Sequence, residues 1–166
     1  MKIIIDSSPL IFLSKIGKIE LLTELFDEIL IPSDVFYETV TLGKEKMLDD
    51  AFAIENFINR SSKVKIKDAN IQWLADLPLG KGEKAVISLA RIEGIDNVLI
   101  DESKARTLAK VFKLKPRGTL WVLALANSNG IITRQELKES VLRVVEKGYR
   151  IKEEILARFL LDIERN

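Results

Sequence analysis

Cysteine and histidine are both absent from this chain of 166 residues. Without cysteine there are no disulfides and no thiol nucleophile, and without histidine there is no Ser-His-Asp triad and no imidazole acid or base. Structural zinc sites depend on the same two residue types and are excluded as well. Carboxylate, lysine, hydroxyl and phenol groups remain. Because carboxylate oxygens bind hard cations, a metal site here would hold magnesium, manganese or calcium.

Long apolar runs, a signal pattern and a strong charge excess are also missing. No segment approaches the roughly 20 apolar residues of a membrane helix, and the chain begins directly with a strand pattern instead of a cleavable leader. The formal net charge is +1, so any affinity for a polyanion must come from local clusters of basic residues. We therefore expect a cytoplasmic protein with no membrane partner.

The composition suits one globular domain. Hydrophobic residues make up 47% of the chain, enough for one sizeable core in a chain too short for two full domains. We expect a domain over residues 1–132 and a helical extension over residues 133–166. Gly148 separates two amphipathic patterns in this extension, which packs either on its own domain or on a second subunit. The assembly we expect is a homodimer.

The opening segment contains a carboxylate directly after a buried strand pattern. Three isoleucines at residues 3–5 form a β-branched run typical of a parallel strand covered on both faces. Ser8 is predicted to cap a helix that begins at Pro9 and stops at Gly17. Asp6 is then predicted at the carboxyl end of a strand, where open α/β sheets bind ligands. A turn-forming aspartate is the alternative.

The same arrangement occurs again near residue 100. Residues 97–100 form another apolar run, and Asp101 and Glu102 follow it before a helix that starts near Ser103. Parallel strands end at the same edge of a sheet, so Asp6 and Asp101 would meet if their strands are neighbours. The repeated pattern favours a shared acidic site.

Two glutamates are further candidates for that site. Glu38 lies at the edge of the apolar arc of a helix that follows a predicted strand at residues 28–32, and a carboxylate there needs a partner. Glu83 falls in the first turn of an amphipathic helix that begins near Gly82. Simpler explanations are a rim glutamate paired with a lysine for Glu38, and for Glu83 the helix dipole, which contributes about 0.3 to 1 kcal/mol.

The segment after Asp101 is rich in basic residues, and no acid occurs over residues 103–118. Basic residues beside a pair of carboxylates suit a protein that acts on a polyanion, because they hold neighbouring phosphates. A solvated helix face is the alternative. Helical spacing predicts that Arg106, Lys110 and Lys113 share one side. The basic residues of the segment are Lys104, Arg106, Lys110, Lys113, Lys115 and Arg117.

Four further segments have recognisable patterns. Residues 44–60 predict a helix, and residues 64–66 alternate as in a short strand with one solvated face. Residues 116–118 predict a turn, and residues 119–127 predict an apolar helix. Trp121 in that last helix is assigned to the core and not to a stacking surface.

Five short motifs occur in a fixed order along the chain. They are Asp6-Ser7-Ser8-Pro9-Leu10, Ile31-Pro32 with Glu38, Gly82-Glu83-Lys84-Ala85, Leu99-Ile100-Asp101-Glu102 with Ala105-Arg106, and Gly118-Thr119-Leu120. In this order they resemble the motifs of the PIN-domain superfamily. More closely, the chain resembles a prokaryotic subfamily of predicted nucleic-acid-binding proteins similar to toxin-antitoxin ribonucleases. The resemblance implies a three-layer α/β/α domain around a central parallel sheet of four to five strands.

The resemblance also implies a function. It implies an acidic pocket that binds Mg²⁺ or Mn²⁺ and cleaves single-stranded RNA, with an antitoxin protein as a further partner. We expect Asp6 and Asp101 to ligate the metal ion directly, with Glu83 beside them. Glu38 would complete the cluster or orient water. Carried over to this chain, the acidic positions are Asp6, Glu38, Glu83 and Asp101, and the RNA-binding positions are Lys104, Arg106, Lys110 and Lys113.

One departure from the superfamily pattern concerns the region beyond the helix that follows Asp101. Many active members have a further acid there, whereas this chain has Arg117-Gly118-Thr119. Thr119 and Ser8 are candidate supporting hydroxyls, and Glu102 is a candidate substitute carboxylate. The alternative function is a binding module of the same fold that holds RNA or a protein without cutting. A phosphoryl-accepting receiver-like domain fits less well, because its paired acids cannot be placed at one strand end.

Overall fold

A five-stranded sheet forms the centre of the protein. The computed structural model of the chain describes residues 1–165. The strands are β1 (Lys2–Ile5), β2 (Glu28–Pro32), β3 (Val64–Lys67), β4 (Asn97–Leu99) and β5 (Lys115–Arg117). Their order is β3-β2-β1-β4-β5, and every neighbouring pair is parallel. The expectation of a central parallel sheet of four to five strands is therefore confirmed.

Helices cover both faces of the sheet and complete the predicted three-layer α/β/α arrangement. A π-helical turn, Tyr37–Thr41, joins the third helix to the fourth, and a 3₁₀ turn, Gln72–Leu74, precedes the sixth. The helices are α1 (Ser7–Lys15), α2 (Leu21–Leu25), α3 (Ser33–Phe36), α4 (Leu42–Glu45), α5 (Asp49–Arg60), α6 (Lys81–Glu93), α7 (Ser103–Val111), α8 (Thr119–Ser128), α9 (Arg134–Glu146) and α10 (Glu153–Arg165). Within residues 1–165, none of them combines the length and apolar character that a membrane span requires.

The core is built around β1, whose three isoleucines at residues 3–5 are fully buried. This burial matches the uninterrupted apolar pattern, because a central parallel strand has no solvated face. Trp121 packs against the core beside Phe26, with ring centroids 6.3 Å apart, as the core assignment predicts. α9 adds Leu137 and Val141 to the same core, so the first helix of the extension packs on its own domain. The division of the chain after residue 132 stays a prediction.

The strand order contains one topological switch point. From β1 the chain continues to β2 and β3 on one side of the sheet, and then to β4 and β5 on the other. β1 and β4 are therefore neighbours: Ile5 is in register with Leu99, and the backbone N–H of Asp6 donates to the carbonyl oxygen of Leu99 at 3.0 Å. This pairing is the condition on which the convergence of Asp6 and Asp101 depends. Open α/β sheets bind their ligands beyond such a point.

Several predicted boundaries were wrong. α1 begins at Ser7 with Asp6 in the N-cap position, so Ser8 lies inside the first turn and does not cap the helix. The helix predicted over residues 44–60 is broken near Met47, which has a φ of 55°, and α5 begins only at Asp49. A residue with a side chain rarely adopts this left-handed conformation, and a helix cannot continue through it.

Two corrections concern the basic segment. Lys113 follows the end of α7 and has a φ of 61°, so it does not continue the helix face of Arg106 and Lys110. Residues 115–117 form β5 instead of a turn. Pro116 is tolerated there because β5 is an edge strand, where a residue without a backbone N–H leaves no partner unpaired.

Candidate active site

Asp6 is the most deeply buried of the predicted acids, with only 5% of its surface exposed. This burial raises the pKa of its carboxyl group to about 7, although a hydrogen bond from the Ser7 backbone N–H lowers it in part. The negative charges of the other three acids raise this pKa as well; they are Glu83, Glu38 and Asp101. The other three predicted acids are therefore close enough to Asp6 for their charges to act on it.

Glu38 reaches Asp6 from the π-helical turn. The hydroxyl of Ser7 donates to Oε2 of Glu38 at 2.9 Å, so the observed partner is a neighbour of Asp6 and not the lysine of the simpler explanation. The position of Gly82 sets an upper limit on the distance between the carboxylate oxygens of Asp6 and Glu38. A Cβ atom on Gly82 would lie 3.2 Å from Oδ1 of Asp6 and 3.2 Å from Oε2 of Glu38. The two oxygens are therefore at most twice that distance apart.

Glu83 has a structural role in the first turn of α6. Its Oε2 accepts a hydrogen bond from the backbone N–H of Gly80 at 2.8 Å, as in a capping box. Glu83 also lines a cavity of about 440 Å³ together with Asp6 and Glu38. Lys81, Glu102 and Ser8 lie on the wall of the same cavity. The helix cap thus orients one oxygen of Glu83, and the other remains for the cavity.

Asp101 is held in place by Thr119 and Tyr149. Its Oδ1 accepts from the backbone N–H of Thr119 at 2.7 Å and from the phenol of Tyr149 at 2.9 Å. Its Oδ2 accepts from the hydroxyl of Thr119 at 2.6 Å. Burial raises the pKa of Asp101, while these hydrogen bonds and the charge of Arg106 lower it. Thr119 therefore holds Asp101 through both its backbone and its side chain.

Tyr149 is a site residue that the sequence patterns did not reveal, as is Ser7. It lies between α9 and α10, far along the chain from Asp101. Burial and the nearby charge of Asp101 raise the pKa of its phenol well above the usual range, so the phenol stays protonated and acts as a donor. The sequence contains only one indication of its role. A chain without histidine has few side chains that can donate a proton, and Tyr149 is one of its two tyrosines.

Glu102 acts as a helix cap. Its Oε2 accepts from the backbone N–H of Ala105 at 2.6 Å at the start of α7. The proposed substitute carboxylate therefore already has a local partner, although Glu102 also borders the cavity. Ser8 borders this cavity and a second one beside Asp101.

The basic residues divide into two sets. Arg106 is half-buried, and its charge acts on Asp101. It also lies near Gly118, where an added Cβ atom would be 3.8 Å from Nη1 of Arg106. Lys104, Lys110 and Lys113 are exposed. α7 thus carries one cation next to the acids and others on the surface beside them.

The donor chemistry of the cluster fits a hard divalent cation. Carboxylate oxygens are the ligands that magnesium and manganese prefer, and the pKa of Asp6 is raised first by burial and then by the negative charges of Glu83, Glu38 and Asp101. Among the residues that the structure describes, no three acidic side chains are arranged to hold one metal ion together. The acids form a charged cavity and not a closed coordination shell.

The protein is thus an all-parallel α/β/α domain with acids at the switch point of its sheet, where domains of this class bind their ligands. A family model, DUF3368, whose description is PIN domain, matches residues 2–165. The chain belongs to the PIN-domain family, as its motifs predicted. PIN domains are generally nucleases and typically use divalent metal ions. No curated protein matches the chain.

Proposed function

We propose that the protein is a metal-dependent endoribonuclease that hydrolyses phosphodiester bonds of single-stranded RNA. The observation that carries the proposal is the gathering of acids around the buried Asp6 at the switch point of the sheet. A buried carboxylate surrounded by other carboxylates is costly in a fold that has no use for it. Binding a cation that in turn binds phosphate would give these carboxylates a function.

The acids that line the cavity would hold the cation. They are Asp6, Glu38 and Glu83, and Asp101 follows the neighbouring strand β4. A divalent cation held there would lower the pKa of a water molecule and neutralise charge on the phosphate. Ser7 donates to Oε2 of Glu38, which leaves Oε1 to accept a hydrogen bond from water and orient it.

The basic residues of α7 would bind the RNA. Arg106 is close enough to Asp101 to act on a phosphate beside the cleaved bond. The exposed lysines would contact phosphates further along the strand. We further propose that the protein is a homodimeric toxin in the cytoplasm, with an antitoxin protein as its partner. Only the resemblance to the subfamily supports these properties.

The test is cleavage of a mixed single-stranded RNA pool by the purified protein with manganese. We expect cutting that EDTA abolishes and that Asp101→Asn lowers by at least about 100-fold, because a lost ligand or charge partner costs several kcal/mol in the transition state. Asp96→Asn is the matched control, since Asp96 precedes β4 at the opposite end of that strand and pairs with Lys115. A wild-type protein that retains RNA on a filter without cutting it contradicts the proposal.

A binding module without catalysis is the second candidate function. It is favoured by the hydrogen bonds that already engage Asp101 and by the lack of three jointly arranged acids among residues 1–165. Such a module would depend on the cations of α7 more than on the carboxylates.

The double variant Lys104→Glu and Lys110→Glu tests the role of α7 in either case. We expect weaker RNA retention and a plot of log affinity against log salt whose slope falls by about one for each lost phosphate contact. A true nuclease should still cut RNA at low salt, because neither lysine touches the acids. Lys46→Glu, at an exposed lysine that ends α4, is the control. Unchanged RNA affinity in the double variant would exclude α7 as the binding surface.

A further inference from the structure

Tyr149 contacts the acid cluster from the segment between α9 and α10. Its ring packs edge-on against Phe12 of α1, with centroids 5.2 Å apart and planes at 79°. Gly148 turns the chain just before it with a φ of 96°, a conformation that only glycine adopts readily. Two separate features therefore hold the phenol in place, one through its ring and one through its backbone.

The hydrogen bonds to Asp101 are unevenly divided between its two oxygens. Oδ1 accepts two, from the Thr119 backbone and from Tyr149, whereas Oδ2 accepts one, from the Thr119 hydroxyl. An ionised carboxylate has about four acceptor positions. Tyr149 fills the second position on Oδ1, so the remaining position belongs to Oδ2.

The contact also borders open space. A cavity of about 360 Å³ is lined by Asp101 and Tyr149, together with Phe12, Glu102 and Arg150. Asp101 is therefore reachable from this side, and the phenol lies at the boundary between the cavity and the carboxylate. A tyrosine that only filled the core would not need its hydroxyl at this boundary.

We propose that Tyr149 is a positioning residue that confines the free acceptor of Asp101 to Oδ2. Through this residue, the C-terminal extension takes part in the site of the PIN domain. The inference rests on the proposed function for the role of Asp101, while the contact itself is independent of that role. Losing the phenol would free a position on Oδ1 and let the carboxylate present either oxygen to a cation.

Tyr149→Phe tests the role because it removes the hydroxyl and keeps the ring that packs on Phe12. We expect kcat to fall by about 10- to 100-fold, the usual effect of removing a residue that orients a metal ligand, with KM for RNA unchanged. A merely structural residue would instead change the melting temperature and leave kcat per folded protein unchanged. Tyr37→Phe is the matched control, since Tyr37 is the other tyrosine and is exposed.

A second measurement does not depend on cleavage. In protein carrying ¹³Cζ-labelled tyrosine, two resonances are expected, and Tyr37→Phe identifies the one from Tyr149. Asp101→Asn should shift this resonance. Broadening of this resonance during a titration with Mn²⁺ should give the Kd of wild type for the ion. Because Tyr149→Phe lacks the resonance, its Kd is measured from a binding isotherm, and its affinity for Mn²⁺ should be about tenfold weaker than that of wild type.

The outcomes separate the two proposals. A wild-type protein that never cuts RNA contradicts the proposed ribonuclease. If wild type does cut, an unchanged kcat in Tyr149→Phe overturns the positioning role. If it does not cut, an unchanged Mn²⁺ affinity in Tyr149→Phe overturns that role, and a tenfold loss supports it.

Discussion

Asp6→Asn is expected to stabilise the metal-free protein by about 4 kcal/mol at about pH 8 and to abolish RNA cleavage. Burial raises the pKa of Asp6 from 3.8 to about 7, so the folded state keeps the proton over a pH range in which the unfolded chain releases it. As the pH rises from about 4 to about 7, the contribution of Asp6 to the free energy of unfolding of wild type therefore falls by about 1.4 kcal/mol per unit. Above that range the full free-energy cost of ionising the buried Asp6 is present. Asparagine does not ionise, so Asp6→Asn does not carry this cost.

The measurement is urea unfolding of wild type and Asp6→Asn in EDTA over this pH range. The advantage of the variant should shrink as the pH falls toward about 4 and should vanish below it, where both states of wild type hold the proton. Asp96→Asn changes the same residue type at an exposed position and should show no such trend. If Asp6→Asn is no more stable than wild type at about pH 8, the assignment of Asp6 as a costly ionised group is wrong.

Metal ions should narrow this difference. A cation that binds the folded wild-type protein at about 100 times its Kd adds about 2.7 kcal/mol of stability. Mg²⁺ or Mn²⁺ is expected to raise the melting temperature of wild type, because it neutralises carboxylates that repel one another. Asp6→Asn should gain much less. A melting temperature of wild type that does not respond to either cation would count against the metal site.

Gly118→Ala is expected to lower cleavage by about 100-fold while the fold is kept, since a displacement of about 1 Å at a reacting group has an effect of this size. A Cβ atom at this position would lie 2.8 Å from Oδ1 of Asp101 and 3.4 Å from the hydroxyl of Tyr149. The first distance is too short for a contact between carbon and oxygen, so the carboxylate or the backbone of residue 118 must move. The φ of −121° is accessible to alanine, and the effect therefore arises from the contact and not from backbone strain.

The control for Gly118→Ala is Gly80→Ala. An added Cβ atom at Gly80 lies 3.5 Å from Oε2 of Glu83, which is ordinary contact beside a second acid of the same cluster. Steady-state cleavage and thermal unfolding of the two variants separate a local shift of Asp101 from a general loss of stability. Cleavage by Gly118→Ala at the wild-type rate would show that the position of Asp101 is not critical.

The predictability of the fold depended on local apolar patterns. β1, β2 and β4 were visible because each is a run of buried branched residues ahead of a helix. β5 was missed because Lys115-Pro116-Arg117 has no apolar run; it becomes a strand through its pairing with β4, in which Val98 is in register with Pro116. The cap of α1 was misplaced because several residues before Pro9 have suitable side chains, and local chemistry does not choose among them.

The sequence singled out the four acids of the candidate site, but not Ser7 and Tyr149, which hydrogen-bond to two of them. Asp6 and Asp101 stand out because a carboxylate directly follows each apolar strand. No local sequence pattern identifies the residues that hydrogen-bond to the acids. Ser7 donates to Glu38, which is 31 positions away in the chain, and Tyr149 donates to Asp101, which is 48 positions away. Thr119 was a candidate hydroxyl, and only its contacts show that both its backbone N–H and its side chain engage Asp101.

By itself, the sequence determined the available chemistry, the strands and helices with strong patterns, and the family. These follow from residue types and from spacings within a few positions of the chain. Tertiary structure alone decided that β4 lies beside β1, that Gly82 lets α6 approach Asp6 and Glu38, and that Tyr149 completes the surroundings of Asp101. The physical reason is that hydrogen bonds and close contacts between distant residues exist only after the core has packed, and no local periodicity encodes them.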